Sequence, residues 1–259
     1  MKKFTKMWAI AACALFAGTA AVNAEDYTWK FVTAGDATTY AIRSDGSLWS
    51  WGWNEKGQGG NGVSERTATP TLADGNRVWK KAVGGKAYGF FLAEDGSLWA
   101  AGTHEGGVQG TNDGIDHKVL TRIGTDNDWA DMACSRFWGY SGFAIKTNGT
   151  LWAWGKNSAG QLGIGNTQAQ TAPVQVGADM DWKQVAAGCS SVLALKTDGS
   201  LWGWGFNMYS ELFGHEGKQL SPVRLGSETD WEQVVVIDFR AYAVKKDGTL
   251  WAWGDNANN

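Results

Sequence analysis

The chain has 259 residues, of which 36 are Gly, 17 are Trp and only 3 are Pro, and its formal net charge is −3. Glycine this frequent without a collagen period, together with many aromatic residues, is typical of short strands joined by tight turns. The apolar share of 43% and the mixed charge exclude a disordered chain.

The first 24 residues have the three parts of an export signal. Three lysines precede an apolar run over residues 7–22, and the run ends in Val22-Asn23-Ala24, which resembles a signal-peptidase site. The run is shorter than the ~20 residues of a spanning helix. The sequence therefore predicts cleavage near Ala24, a mature chain that begins at Glu25 and lacks a stable membrane span, and a secreted, periplasmic or cell-surface location.

The mature chain is expected to be acidic. Loss of residues 1–24 removes three lysines and no acid, which leaves 20 basic against 26 acidic residues. A nucleic-acid partner would require a clustered basic face. Nucleic acid is therefore excluded as an expected partner.

Two series of markers recur along the chain. Asp-Gly-Ser-Leu-Trp or a close variant begins at Asp45, Asp95, Asn148, Asp198 and Asp247. A second series opens each unit at Trp29, Trp79, Trp129, Trp182 and Trp231. Two independent markers with a common period of about fifty residues indicate a repeat array over residues 25–259.

Each Asp-Gly or Asn-Gly pair lies between alternating apolar residues, which is a strong signal for a β-hairpin. With both turn residues at positive φ, a two-residue turn places Leu195 opposite Trp202 and Leu193 opposite Trp204. One face of each hairpin is then bulky and the other slim, so that successive sheets can stack. Such a stack of sheets around an axis is a β-propeller.

Further strands flank each hairpin. A short strand rich in small residues, such as residues 182–188, precedes the hairpin and suits the crowded axis. A later extended piece, such as Pro173–Val176 or Pro222–Leu225, follows the Gly-rich loop, and its Pro is compatible only with an edge strand. The expected fold is all-β, with about five four-stranded blades.

These residues resemble a known family, the regulator of chromosome condensation repeats. The resemblance is carried by Leu-Trp-x-Trp-Gly and Asn-x-x-Gly-Gln-Leu-Gly-x-Gly at 151–165 and by Val-Ala-Ala-Gly at 185–188, and it covers nearly all of 29–254. It implies a propeller of four-stranded blades. The founding member is a nuclear exchange factor for a small GTPase that binds chromatin, whereas exported members that bind or inhibit proteins are the closer analogy.

The family usually closes seven blades, and only five units are visible here. The fifth unit reaches Trp253-Gly254 and lacks its fourth strand. Two alternatives follow: residues 26–28 supply that strand and seal a five-bladed ring, or the chain is a fragment of a longer, seven-bladed propeller.

The sequence offers little catalytic chemistry. Three histidines, His104, His117 and His215, share no zinc-like spacing, and no metal site or cofactor is expected. Cys134 and Cys189 are the only mature cysteines, and two buried free thiols are favoured over a disulfide between them. No catalytic residue is assigned.

Residues that break the repeat are the better candidates for a binding site. Aromatic residues with Arg are typical of binding hot spots. Trp53, the segment 136–140, the fourth Gly-rich loop with Phe213, and the segment 239–240 all depart from the repeat. The candidate ligand-binding residues are Trp53, Arg136, Phe137, Trp138, Tyr140, Met208, Tyr209, Phe239 and Arg240.

Three functions remain open at this point. The leading hypothesis is an exported, non-catalytic module that binds a protein partner through propeller loops. The second is a lectin-like propeller that stacks exposed aromatic rings on a glycan. The third is an exported hydrolase or lyase, whose catalytic groups would come from several blades.

Overall fold

A computed structural model describes residues 28–212 and 217–255. The expected export signal, residues 1–24, lies outside this range, as do His215 and Phe213. The strands are β1 (Trp29–Ala34), β2 (Thr38–Arg43), β3 (Leu48–Gly52), β4 (Thr67–Asp74), β5 (Trp79–Gly84), β6 (Tyr88–Ala93), β7 (Leu98–Gly102), β8 (His117–Arg122), β9 (Trp129–Cys134), β10 (Ser141–Lys146), β11 (Leu151–Gly155), β12 (Gln170–Gln175), β13 (Trp182–Ala187), β14 (Ser191–Lys196), β15 (Leu201–Asn207), β16 (Gly217–Arg224), β17 (Trp231–Ile237), β18 (Arg240–Lys245) and β19 (Leu250–Gly254), with one short 3₁₀ helix at Glu105–Gly107.

The strands form five antiparallel sheets in chain order, which confirms the all-β propeller. Four blades have four strands, and each fourth strand is an edge strand; Pro70, Pro173 and Pro222 lie in three of these strands. The fifth blade, β17–β18–β19, has three strands among the described residues. In residues 28–212 and 217–255, no helix has the length and apolar character needed to cross a membrane.

Of residues 26–28, which are one predicted source of the fourth strand of the fifth blade, the structure describes Thr28 alone. Its carbonyl oxygen accepts a hydrogen bond from the Ser44 amide at 2.8 Å, as the carbonyls of Asp128 and Asp181 accept from Thr147 and Thr197 in the third and fourth blades. Asp26 and Tyr27 lie outside the described residues.

The hairpin between the second and third strands differs from the predicted two-residue turn. Gly199 has φ 84°, whereas Asp198 is not in the left-handed region. The Asp198 carboxylate instead accepts hydrogen bonds from the amide and hydroxyl of Ser200, at 2.8 and 2.6 Å. This is a longer loop that ends in a left-handed glycine, and the side chain of Asp198 sets its geometry.

The longer loop shifts the strand register by one residue. Ala194 lies opposite Trp202 and Leu193 opposite Gly203, so the predicted pairs of Leu193 and Leu195 with Trp204 and Trp202 are wrong. Tryptophan therefore shares a face with alanine, and leucine lies on the other face. A one-residue shift moves every side chain to the opposite face of a strand.

Each blade consequently has two different faces. We call the face with the opening Trp and the Trp residues of Leu-Trp-x-Trp the leading face, and the opposite face the trailing face. In the largest core cluster, Phe90 and Leu98 of the second blade's trailing face pack against Trp129, Met132 and Trp154 of the third blade's leading face. The same arrangement recurs between the other consecutive blades.

The two tryptophans of the motif have separate roles. The first indole binds its own hairpin, since Trp202 Nε1 donates to the Ser200 hydroxyl at 2.9 Å. The second binds the preceding blade: Trp204 Nε1 donates to the carbonyl of Gln161 at 2.9 Å, in the Gly-rich loop of the third blade. Trp154 and Trp253 make the same bond to the loops of the second and fourth blades, so the motif joins the hairpins of the third, fourth and fifth blades to the loop of the preceding blade. The second blade has Ala101 in place of the second Trp.

Two faces at the ends of the array are exposed. On the leading face of the first blade, Trp29 is 47% and Val32 64% exposed, although the corresponding residues of later blades are buried. On the trailing face of the fifth blade, Leu250 is 69% exposed, whereas Leu48, Leu98, Leu151 and Leu201 are fully buried.

This contrast gives a matched pair of substitutions. Leu201→Ala removes fully buried apolar atoms and should lower the free energy of unfolding by about 2–5 kcal/mol. Leu250→Ala changes the same motif position at an exposed site and should cost less than about 1 kcal/mol. Urea titration followed by circular dichroism compares them, and equal losses would contradict the assignment of the two faces.

Candidate functional site

The irregular loops of the propeller lie at one end of the blades. Loops between first and second strands and between third and fourth strands share this end, and the Asp-Gly hairpins lie at the other end. All nine candidate binding residues follow a first or a third strand or open the strand after it, and so lie at the loop end.

The third-blade loop, residues 135–140, has a strained backbone. Phe137 and Tyr140 have φ of 48° and 44°, in the left-handed region that side chains disfavour. Trp138 between them is 64% exposed. The Arg136 guanidinium turns away and donates to the carbonyl of Ala34 in the first blade at 3.2 Å. Arg136 therefore links the third blade to the first blade at the loop end of the propeller.

Tyr140 does not face solvent. Its side chain is buried, and its ring lies 5.9 Å from the ring of Tyr88. The expectation that Tyr140 contacts a ligand finds no support in this position.

The fourth- and fifth-blade loops approach the third-blade loop. Asp238 has φ 56°, and its carbonyl accepts a hydrogen bond from the Cys189 amide at 3.1 Å. The rings of Tyr209 and Phe239 lie 4.9 Å apart. Met208 and Tyr209 are exposed beside them. Three blades thus contribute side chains to one area.

A groove of about 260 Å³ lies between these loops. We call it the aromatic groove; its lining residues are Phe137, Trp138, Cys189, Asp238, Phe239, Arg240 and Asp255. Four predicted candidates, Phe137, Trp138, Phe239 and Arg240, meet here, although about a hundred residues separate the two pairs. Trp53 is not among the lining residues; it is half-buried in the first blade, where Thr38 binds its carbonyl.

Charges of both signs surround the aromatic groove. Lys86 Nζ lies 3.5 Å from the centre of the Trp138 ring, a cation–π contact. Arg240 donates to the Asp255 carbonyl at 3.0 Å and lies 3.6 Å from its carboxylate. Burial raises the pKa of Asp238, and the nearby Arg136 opposes this shift.

The two cysteines are buried free thiols, which agrees with the favoured alternative to a disulfide. Burial raises the pKa of Cys134 to about 12 and that of Cys189 to about 11. Both are therefore protonated at neutral pH, and a protonated thiol is a weak nucleophile.

Two histidines lie apart from the aromatic groove, at the second blade. His104 Nδ1 is 2.7 Å from Asp116, and His117 Nε2 is 2.8 Å from Asp113. In the part of the chain that the structure describes, no three His, Cys, Asp or Glu side chains are grouped to hold a metal ion.

Glu211 fixes the fourth-blade loop that carries Tyr209. It is buried and occupies the position that Gln58 and Gln161 hold in the first and third blades, and its carboxylate accepts from the Tyr209 amide at 2.8 Å. Burial raises the pKa of Glu211, while the backbone amides of Glu211 and Tyr209 oppose the shift. The indole of Trp253 in the fifth blade donates to the Glu211 carbonyl at 2.7 Å.

Sequence reasoning missed several residues that line the groove, and it missed Lys86, which contacts the Trp138 ring beside it. Lys86 lies in a short, regular loop, and nothing in its local sequence distinguishes it. Asp238 and Cys189 follow first strands at positions equivalent to the third-blade loop, so alignment of the five loops would have found them. Asp255 follows the last strand at the position of Trp53.

The blades and their packing define a β-propeller built from meander repeats. The family model for the regulator of chromosome condensation (RCC1) repeat matches residues 45–92 and 148–195, and a second model of the same description matches residues 29–58. The chain therefore carries these repeats and is an RCC1-like β-propeller.

Comparison with known proteins agrees with this fold. The ultraviolet-B receptor UVR8 of Arabidopsis thaliana is 29% identical over 163 residues, which is 62% of this chain and 37% of the receptor. Human WBSCR16 superimposes with a TM-score of 0.78 at 18% identity, over 90% of this chain and 65% of its own. Yeast RCC1 (Prp20), solved with Kap60 bound, gives 0.76 at 21% identity, over 89% and 57%.

The aligned region is thus about a third of the plant receptor and less than two thirds of either solved chain. Because the two solved structures are 18% and 21% identical to this chain, the comparison with them shows a shared fold alone.

Glu211 makes stability depend on pH in a predictable direction. Because its folded pKa is raised above the ordinary 4.5, its contribution to stability is present at low pH and is lost as pH rises through the folded pKa. At pH 7 the folded protein bears the cost of burying a charged carboxylate. Glu211→Gln removes this cost and should raise the free energy of unfolding at pH 7 by about 1 kcal/mol, with a smaller gain near pH 4.

The third blade offers the reciprocal control. Gln161→Glu should lower the free energy of unfolding at pH 7, measured by the same urea titration. Equal stability of wild type and Glu211→Gln at both pH values would mean that the carboxylate is adequately solvated.

Proposed function

We propose that this protein is an exported, non-catalytic binding module that engages a protein partner through the aromatic groove. The observation that carries the proposal is the convergence of Phe137, Trp138, Phe239 and Arg240 from two blades. Aromatic side chains with Arg at the centre of a concave surface are the residues that most often dominate the energy of a protein interface.

The local backbone supports this proposal. Phe137, Ser210 and Asp238 all have positive φ and lie in loops at the groove. Such strain persists only where the surrounding structure compensates for it, and it is concentrated at functional sites. Among the described residues, the other non-glycine positions with positive φ are Tyr140, in the same third-blade loop as Phe137, and Asn112, in the second blade. Irregular loops on a regular scaffold are where a ligand would gain specificity.

The relatives are consistent with a protein partner. The yeast propeller of the same fold has been solved with Kap60 bound. This chain covers 57% of that protein, and a shared fold does not by itself imply the same partner. The partner is instead described by the groove, as a protein segment with apolar or aromatic side chains and a carboxylate for Arg240.

The test is capture of partners from the native extracellular fraction with wild-type protein and single variants. Trp138→Ala and Phe239→Ala should each weaken binding by about tenfold or more, because hot-spot truncations cost upward of ~1–2 kcal/mol. Met180→Ala, which removes an equally exposed apolar side chain at the hairpin end, is the matched control. Capture that survives both groove substitutions would exclude the groove as the binding site.

A glycan ligand is the second candidate. The exposed rings of Trp138 and Tyr209 at the groove favour it, since planar rings can stack on sugars. A glycan array combined with titration of Trp fluorescence separates the two proposals. If no glycan on the array binds and none changes the Trp fluorescence, a glycan ligand is excluded.

Export is proposed from residues 1–24 and is tested separately. N-terminal sequencing of the native protein should find Glu25 as its first residue. A native protein that retains residues 1–24 would contradict export with cleavage, and it would leave the proposal for the groove unaffected.

A further inference from the structure

The Gly-rich loop of the second blade, residues 103–116, departs from the corresponding loops at two positions. His104 replaces an asparagine whose side chain, in the first and third blades, accepts a hydrogen bond from the backbone amide five residues later. Gln109 stands where the third and fourth blades have a fully buried leucine, Leu162 and Leu212. A polar side chain thus occupies a core position of the repeat, and it is only 2% exposed.

The side chain of Gln109 has one partner and lacks another. Its Nε2 donates to the carbonyl of Gly102 at 2.5 Å. Its Oε1 is buried and accepts no hydrogen bond from the residues that the structure describes. In the third blade, by contrast, the buried Gln161 uses its Oε1 to accept from the Ala159 amide at 2.9 Å. A buried acceptor without a donor destabilises the folded state, so a donor from outside the chain would be bound favourably at this oxygen.

Gln109 lines a cavity of about 110 Å³ between the second and third blades. Four glycines, Thr111 and Asn112 of the same loop line it as well, and Thr171 of β12 contributes from the third blade. A cavity of ~150 Å³ accommodates a ring of six carbon atoms, so this one suits a group of about four non-hydrogen atoms. The ligand is therefore a small molecule or the end of one side chain.

The side chains around the cavity have spare acceptors, whereas their hydroxyl donors are already bound. The Thr111 hydroxyl donates to Asp113 at 2.9 Å, and the Thr171 hydroxyl donates to Asn112 Oδ1 at 2.5 Å. Each hydroxyl oxygen keeps lone pairs, and the Asn112 oxygen can accept a second bond. Together with Gln109 Oε1, the wall offers neutral oxygens to a ligand that brings its own donors.

The charge of the loop favours a donor that is also a cation. Residues 103–116 include Glu105, Asp113 and Asp116 and contain no Lys or Arg. Lys56 lies 3.6 Å from the Asp116 carboxylate and offsets one of these negative charges. The remaining charge attracts a cationic ligand more strongly than a neutral hydroxyl compound.

We propose that this cavity binds a primary ammonium group, carried by a small amine or by a lysine side chain of a partner. An ammonium group has three N–H donors and no acceptor, which complements Gln109 Oε1 and the neighbouring oxygens. The glycines of the wall have no Cβ and leave room for a short carbon stem. A metal ion fits less well, because no three His, Cys, Asp or Glu side chains are grouped to hold one in the described part of the chain.

The test is a titration of the full chain with ethylammonium chloride at constant ionic strength, followed by isothermal calorimetry. Saturable binding of one ethylammonium ion per chain is expected. Tetramethylammonium chloride has the same charge without an N–H donor and should bind at least tenfold more weakly, because hydrogen bonds from a charged donor are strong.

A second amine identifies the source of the ammonium group. Nα-acetyl-lysine amide presents the same group on a side chain. Binding tighter than that of ethylammonium assigns the site to a lysine of a partner protein, and weaker binding assigns it to a free small amine.

Variants of the loop locate the site. Gln109→Leu installs the residue of the third and fourth blades, so the loop should fold, and loss of Oε1 should weaken ethylammonium binding about tenfold or more. Asn112→Gly removes the Oδ1 acceptor and keeps the φ of 60°, which glycine adopts readily; it should weaken binding about fivefold. Met180→Ala, at the hairpin end, should leave binding unchanged.

The inference fails if ethylammonium shows no saturable binding, or if tetramethylammonium binds equally well. It also fails if Gln109→Leu and Asn112→Gly leave ethylammonium binding unchanged. Binding that Trp138→Ala abolishes would overturn it as well, because the ammonium group would then lie on an aromatic ring of the groove. The proposal for the aromatic groove stands or falls separately, by capture of its protein partner.

Discussion

The structure depends on tryptophan packing between consecutive blades. The leading face of one blade carries indole rings, and the trailing face of the blade before it carries aliphatic and aromatic side chains that cover them. Burial of such rings removes ~150–250 Å² each from water, and the indole N–H then needs a partner. Trp154 and Trp204 find it in the Gly-rich loop of the preceding blade. Apolar packing therefore sets the spacing of the blades, and one directed indole hydrogen bond fixes the position of the Gly-rich loop in the second, third and fourth blades.

Much of the fold could be predicted from the sequence because the repeat encodes it locally. The opening tryptophans, the Asp-Gly hairpins and the prolines each report one strand boundary or one edge. The predicted register of the hairpin strands was wrong because the Asp198 side chain binds Ser200 and holds a loop longer than the two-residue turn. The Asp-Gly dipeptide alone does not reveal this longer loop. The sequence also predicted a fifth unit without its own fourth strand, and the fifth blade has three strands among the described residues.

The candidate site was partly predictable, since departures from a repeat are visible in a sequence. The sequence did not predict that these irregular segments meet in one groove. Phe137 and Phe239 face one groove because the propeller curves, and that curvature comes from packing between whole blades. The prediction for Tyr140 failed in a different way. Tyr140 belongs to the same irregular segment, but its ring is turned toward Tyr88 and away from the groove. A pattern can identify an unusual loop, whereas the direction of each side chain depends on the neighbours of that loop.

The bond from Trp253 to Glu211 has a mechanical consequence. This indole joins the last described strand to the loop that carries Met208 and Tyr209, and Glu211 in turn holds the Tyr209 amide. Movement of the fifth blade relative to the fourth would therefore displace Phe239 and Arg240 from Tyr209 and loosen the loop of Tyr209 in one step. A ligand that spans the groove contacts both blades, so its binding would oppose this movement and stabilise their packing.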